Sequence, residues 1–212
     1  MTISAERIKQ DLRKIDELSK SVDGRVKVKS TSGNPVNRIT LEIDYPTAPS
    51  SDFPKKIQQK TEVKIELLSR YPFQEPSATI TTPVYHPNVY GSGKICFGTK
   101  WLPTQGLDLL VRRIIQIITF DEKILNERSP ANGQALSWYR SAVRKHPNSF
   151  PTDKLIVKEE PTKKMSWNNM DSQDEQKKVV SCPECKSSLR VPTGKKLSVA
   201  CPKCAHKFLV TT

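Results

Sequence analysis

Apolar residues recur at near-helical spacing at the start of the chain and then switch to strict alternation, so a helix should lead into strands. Ile8, Leu12, Ile15 and Val22 share one helical face, with Ser4 as the expected N-cap and Glu6 in the first turn. Arg7, Lys9, Arg13, Lys14 and Lys20 fall on the opposite face. Period-two alternation follows in residues 25–29 (RVKVK), 38–43 (RITLEI) and 62–68 (EVKIELL). These read as half-buried antiparallel strands joined by Gly, Pro and Asn turns, with residues 77–82 (SATITT) as a fourth. From Leu107 to Ile118 apolar residues are dense enough for a buried helix. A last helix is expected from about Asn132 to Lys145, with Leu136, Tyr139 and Val143 inward, and should stop before Pro147. Strands followed by helices define an α+β class.

Charge and composition narrow the setting. The 212 residues include 35 Lys plus Arg against 22 Asp plus Glu, a formal net charge of +13. The composition excludes a collagen-like, coiled-coil or wholly disordered chain. No apolar run approaches the roughly 20 residues of a membrane span, and the N-terminus, MTISAERIKQ, has no apolar h-region. A cytoplasmic protein without membrane association is the expectation. Residues 1–150 carry 23 basic and 15 acidic residues, residues 151–178 carry six of each, and residues 179–212 carry six basic and one acidic. The middle stretch is polar, contains two prolines and lacks steady periodicity, and reads as a flexible linker. Its apolar patches, Leu155 to Val157 and Met165 to Trp167, could dock or could be merely sticky. The expected organisation is a domain over 1–150, a linker over 151–178 and a small module over 179–212.

The five cysteines divide four to one. Cys182, Cys185, Cys201 and Cys204 form a C-x2-C-x15-C-x2-C pattern, and Cys96 stands alone. In a reducing compartment the first four read as ligands of a zinc ribbon rather than as disulfides. Each CxxC turn can direct two thiolates at one tetrahedral ion, with a hairpin turning at Pro192-Thr193-Gly194 between them. A module of 34 residues is too small to fold on its own core, and one structural Zn2+ can supply about 10–16 kcal/mol in apparent binding terms. A redox pair or a rubredoxin-type iron site is the alternative. His206 lies just beyond Cys204 and is read as a bystander. Four thiolates and one Zn2+ leave the module basic, and Phe208 is its one aromatic, so the stacking platform of a single-strand binder is missing. Recruitment of a protein partner or substrate is preferred to nucleic-acid binding, which stays possible.

Residues 85–103, YHPNVYGSGKICFGTKWLP, are rich in Pro, Gly and aromatics and form a long structured loop, the kind kept for function. Pro87 biases His86 away from helix, and Gly91 and Gly93 permit a reversal that can bring Asn88 back toward Cys96. The run YPFQEPSATITTPVYHPNV…GKIC over residues 71–96 resembles the core of the ubiquitin-conjugating enzyme family. That family has a YPF-x-P-P segment, a strand, an HPN turn and an active cysteine ten residues after the His. Trp101 and Pro103 resemble its W-x-P, and SPANGQALSWYRSA (129–142) resembles the start of its P-L-N…A…Y helix. The resemblance covers about residues 1–150. It implies a UBC-like four-stranded antiparallel meander flanked by helices, to which the zinc-ribbon hairpin module is added.

The resemblance further implies that Cys96 accepts ubiquitin or a ubiquitin-like protein as a thioester from an activating enzyme and passes it to an amine of a protein substrate. Asn88 would stabilise the tetrahedral oxyanion or order the loop that does so. His86 is read as fixing the turn with Pro87 rather than as a base. Ser129, before Pro130, stands where the family commonly has an acid that helps deprotonate the incoming lysine; Asp121, Glu122 or Glu127 could compensate. Arg7, Lys9, Arg13 and Lys14 correspond to the face the family uses for its activating enzyme, or form an ordinary solvated face. Trp101 and Pro103 are further partner-binding candidates. A ribbon fused after such a domain is similar to prokaryotic-type members encoded beside an activating enzyme, a modifier and a peptidase, some resembling antiviral defence systems. Two alternatives stand beside this reading. One is a catalytically weak scaffold whose basic ribbon binds nucleic acid or an acidic protein; the other is a cysteine hydrolase pairing Cys96 with His86 or His146.

Overall fold

The computed structural model describes residues 3–158, 177–192, 194 and 196–211. The chain divides into two units, Met1–Glu160 and Pro161–Thr212.

In the first unit α1 (Ile3–Ser21) precedes four strands, β1 (Val26–Ser32), β2 (Arg38–Thr47), β3 (Gln58–Glu66) and β4 (Ser77–Ile80). The strands pair in sequence order, each antiparallel to the next, which is the meander of the α+β class. Two further helices follow, α2 (Leu107–Ile118) and α3 (Gly133–Lys145). Alternation places Ile39, Leu41, Ile43 and Tyr45 of β2 with Val63 and Ile65 of β3 on the buried face. They meet Ile8, Ile15 and Leu18 of α1 and the apolar stripe of α2. Burying that shared surface drives the unit together.

Two expectations change at the edges. Ser4 lies inside α1, which already runs at Ile3, and helix ends are the least legible feature of a sequence. In β1 only Val26 is buried and Val28 is 42% exposed. The strand is at the sheet edge with a bulge between Val28 and Ser30, and every residue of it after Val26 is exposed, so its sequence alternation is not matched by alternating burial.

α2 depends on a residue from another helix. Gly106 at its N-cap offers no side chain, and Asp11 of α1 accepts the Leu107 N–H in its place at 3.2 Å. Asp11 is fully buried, receives Arg7 Nε at 2.8 Å and also accepts from the Tyr71 hydroxyl. A Cβ at Gly106 would lie 2.3 Å from Asp108 Oδ1 and 3.3 Å from Asp11 Oδ1, so a larger residue would displace the Asp108 side chain and crowd the Asp11 carboxylate. At its other end α2 closes on Phe120, whose φ of 60° is a position usually left to glycine. The ring repays that strain in an aromatic cluster with Tyr139 at 5.5 Å and Phe150 at 5.1 Å.

The first eight residues of the stretch read as a linker are docked on this unit. Thr152 N–H donates to Thr119 O, Lys158 N–H to Ser21 O, and Leu155 and Val157 pack on the core. Met165 to Trp167 lie outside the described residues.

The second unit holds two antiparallel hairpins, β5 (Lys177–Ser181) with β6 (Ser188–Pro192) and β7 (Lys196–Ala200) with β8 (Lys207–Thr211).

Removing the Asp11 carboxylate would orphan Arg7, the Tyr71 hydroxyl and the first N–H of α2 together. Asp11→Ala should cost about 3–5 kcal/mol in urea unfolding, and Asp11→Asn, which keeps the shape, clearly less.

Candidate functional site

β4 leads into the long loop, and the loop folds back along it. Ile80 N–H donates to Gly93 O and Ile95 N–H to Ala78 O, so residues 93–95 extend the sheet edge. Gly93 has φ of 83°, and a Cβ there would stand 2.2 Å from Ile80 O, which explains the glycine. The reversal brings Cys96 N–H to Asn88 O at 2.8 Å.

The His-Pro-Asn turn is buried. His86 Nδ1 accepts the Asn88 N–H at 2.9 Å, and its ring packs 4.4 Å from Phe120. Burial alone pushes its pKa down to about 3, so the imidazole is neutral and unsuited to a proton shuttle. Pro87 is buried, and its carbonyl accepts the Asn132 N–H at 3.0 Å, while Asn132 Oδ1 caps α3 through Ala135 N–H at 3.0 Å. The turn therefore anchors the start of α3.

Asn88 is fully buried, and its amide is saturated by backbone. Nδ2 donates to Cys96 O at 3.2 Å and Ile124 O at 3.1 Å, and Oδ1 accepts Asn126 N–H at 3.0 Å. One side chain thus clamps the cysteine to segment 124–126. Arg113 of α2 adds a second clamp, donating Nε and Nη2 to Phe97 O at 3.1 and 3.0 Å. Cys96 itself is half-buried and lines a groove of about 620 Å³ with Tyr90, Lys94, Gly98 and Lys100.

Asn126 was missed by pattern reading, yet its Nδ2 lies 4.0 Å from Cys96 Sγ. Ser129 is exposed and contributes its N–H to Asn126 Oδ1 at 3.2 Å. Among the carboxylates considered as substitutes for an acid there, Asp121 accepts Lys123 N–H and Gln116 Nε2, Glu127 pairs with Arg140 at 2.8 Å, and Glu122 is exposed.

The surface candidates separate into two groups. Lys9, Arg13 and Lys14 are exposed on α1. Arg7 instead donates to Pro103 O at 2.8 Å and to Gln105 O, and so ties α1 to the loop before α2. Trp101 is half-buried against Tyr71 and donates its indole N–H to Pro72 O at 2.7 Å. That bond brings two loops together, and their outward apolar side chains are Phe73, 75% exposed, and Leu102, 51% exposed. The proline-flanked aromatic of YPF was the available signal for Phe73.

In the second unit the four sulfurs of Cys182, Cys185, Cys201 and Cys204 all lie within 4.8 Å of one another. Two of the separations are 3.7 and 3.5 Å. Ligands about 2.3 Å from a tetrahedral centre stand roughly 3.8 Å apart, so the set fits one ion. Each hairpin contributes one knuckle of the same design. Cys182 N–H donates to Ser187 O and Lys186 N–H to Cys182 O; Cys201 N–H donates to His206 O and Ala205 N–H to Cys201 O. Ser187 Oγ lies 3.0 Å from Cys185 Sγ and 3.2 Å from Cys201 Sγ, and its hydroxyl holds the Cys201 thiol down at about 6. The His206 ring stacks on Phe208, apart from the cluster.

An antiparallel meander packed on one face, with an HPN turn clamped to a cysteine, marks the class, and comparison with known proteins agrees. The family model for "Ubiquitin-conjugating enzyme" matches residues 7–150. The chain belongs to the ubiquitin-conjugating enzyme family. It is similar to a ubiquitin-conjugating enzyme E2 of African swine fever virus, 30% identical over 42% of this chain and 45% of the viral protein. It is also similar to the Homo sapiens ubiquitin-conjugating enzyme E2 T, 32% identical over 34% of this chain and 38% of the human protein. The matches thus span under half the length of these curated relatives. Human ubiquitin-conjugating enzyme E2 G1 aligns over 55% of this chain and 98% of its own, at 18% identity and a TM-score of 0.42.

Because His86 has a folded pKa of about 3 against an ordinary value of 6.5, the unfolded chain binds the extra proton first. Its contribution is intact above pH 6.5 and is lost as pH falls toward 3. Between pH 6.5 and 5, stability should drop by up to about 1.4 kcal/mol per pH unit. The slope should flatten in His86→Gln, read by urea midpoints at each pH.

Proposed function

We propose that the chain accepts ubiquitin or a ubiquitin-like protein as a thioester on Cys96 from an activating enzyme and transfers it to an amine of a protein substrate. The observation that carries this reading is a half-buried cysteine clamped to the His-Pro-Asn turn inside a domain that belongs to the ubiquitin-conjugating enzyme family. The thiolate attacks the carbonyl carbon of the incoming acyl group, and the thioester conserves its reactivity for the substrate amine. Asn88 contributes by ordering the loop, since its amide hydrogens already bind two carbonyls. His86 and Pro87 hold the turn, and Ser129 positions Asn126. Lys9, Arg13 and Lys14, together with Phe73 and Leu102 beside Trp101 and Pro103, offer partner surfaces.

In the same reading Cys182, Cys185, Cys201 and Cys204 hold one structural Zn2+, which when bound cross-links the two hairpins. The ribbon recruits a partner or substrate. Among the described residues no helix is long and apolar enough to cross a membrane. Action in the cytoplasm, within a bacterial antiviral conjugation system, completes the proposal; its support is the fusion of a ribbon-like cysteine module to this domain. Exposed Lys186, Arg190, Lys196, Lys203 and Lys207 favour one second reading, a scaffold whose ribbon binds nucleic acid.

Incubation with an activating enzyme, ATP and candidate modifiers should give a thiol-sensitive adduct on non-reducing gels that is lost in Cys96→Ser. No adduct with any modifier, together with salt-steep nucleic-acid binding, would favour the scaffold. Elemental analysis should find about one zinc per chain, and Cys182→Ser with Cys201→Ser should remove it.

A further inference from the structure

We infer that Asn126, rather than Asn88, is the side chain that stabilises the oxyanion when the Cys96 thioester is attacked; the inference rests on the thioester reading above. The two asparagines differ in what their amides have left to give. Asn88 Nδ2 has two hydrogens and two carbonyl partners, Cys96 O at 3.2 Å and Ile124 O at 3.1 Å, and it is fully buried. Using it for an oxyanion would break a clamp that holds the nucleophile. Asn126 Nδ2 points at the nucleophile itself, 4.0 Å from Cys96 Sγ. Its orientation is settled by the backbone, because Oδ1 accepts the Ser129 N–H at 3.2 Å and the amide nitrogen must therefore face the sulfur.

The distance suits the chemistry. In the acyl-enzyme the carbonyl carbon sits one bond beyond Sγ, and its oxygen one bond beyond that. A donor 4.0 Å from the sulfur is within reach of that oxygen, for which about 2.7–3.1 Å is needed. Gly98 keeps the space beside that amide clear, since a Cβ there would come into van der Waals contact with Asn126 Nδ2 at 3.8 Å. Asn126 is half-buried, so the donor is partly desolvated before the substrate arrives.

The step balances without a further reagent. The amine nitrogen of the substrate adds to the thioester carbon, and the C=O electron pair moves onto oxygen, where Asn126 N–H donates to it. Collapse re-forms the C=O bond from the oxygen's pair and breaks the C–S bond, whose own pair leaves with Cys96 sulfur. The amine loses one proton to water, and the thiolate takes one back, giving an amide and a free thiol. Asn88 is then a positioning residue, since its Oδ1 holds Asn126 N–H at 3.0 Å and its Nδ2 holds Cys96 O.

The test is single-turnover discharge to free lysine of thioester loaded to completion, on the full chain. Asn126→Ala should slow discharge about 10²–10³-fold at saturating lysine, with little change in half-saturating lysine or in melting temperature. Asn126→Asp has the same shape and keeps the Ser129 bond, so it should be as slow while remaining folded. Asn88→Ala should lower melting temperature and discharge together. Discharge of Asn126→Ala and Asn126→Asp at the wild-type rate would overturn the assignment while leaving the thioester reading intact. A folded Asn88→Ala that alone stops discharge would also overturn it. Failure of the wild-type chain to load at all would overturn both.

Discussion

A single buried amide organises the centre of this protein. Asn88 makes three hydrogen bonds, all to backbone, and they join the cysteine strand to a segment some thirty residues further on. Each of those part-buried backbone groups would otherwise lose a protein partner, and the unsatisfied cost falls below the about 1–3 kcal/mol of a fully buried group. The neighbouring turn depends on the same economy: His86 satisfies Asn88 N–H, and Pro87 O satisfies the N–H of the α3 cap. The position of Cys96 is therefore fixed by a network of side-chain and backbone hydrogen bonds, which gives a cysteine on a loop the constraint more usual on a strand.

Asp11 plays a corresponding role at the junction of α1 and α2. Its carboxylate serves α1 through Arg7, the 71–72 turn through Tyr71, and α2 through Leu107. Arg7 in turn holds the carbonyls of Pro103 and Gln105. Part of the basic surplus is thus structural, and a charge count overstates what is available for partners. The exposed cations of α1 and the ribbon keep a bias toward acidic partners without requiring nucleic acid.

Most of the architecture was legible because period and burial coincide. Leu107–Ile118 is helix over the span its apolar density marked, and β2 and β3 alternate as their residues do. The alternation of β1 misled because an exposed edge strand and a half-buried one can share the same pattern in one dimension. Asp11 fell on the apolar face of α1 between Ile8 and Ile15, but its three partners lie as far as 96 residues away. The Cys96–Asn88 neighbourhood followed from loop chemistry and family motif. Asn126, Arg113 and Phe73 carried little local signal, since their significance comes from tertiary approach: one amide near a sulfur, one guanidinium on Phe97 O, one ring left outside.

The paired knuckles carry a consequence for how the ribbon exists at all. Each hairpin brings half of the thiol set, and among the described residues no strand of one hairpin pairs with a strand of the other. A lone two-stranded hairpin is marginal in water. The sulfur cluster is then a keystone rather than an ornament. An ion seated there would make assembly of the module a single all-or-none event, and oxidation of one thiol would undo both halves together.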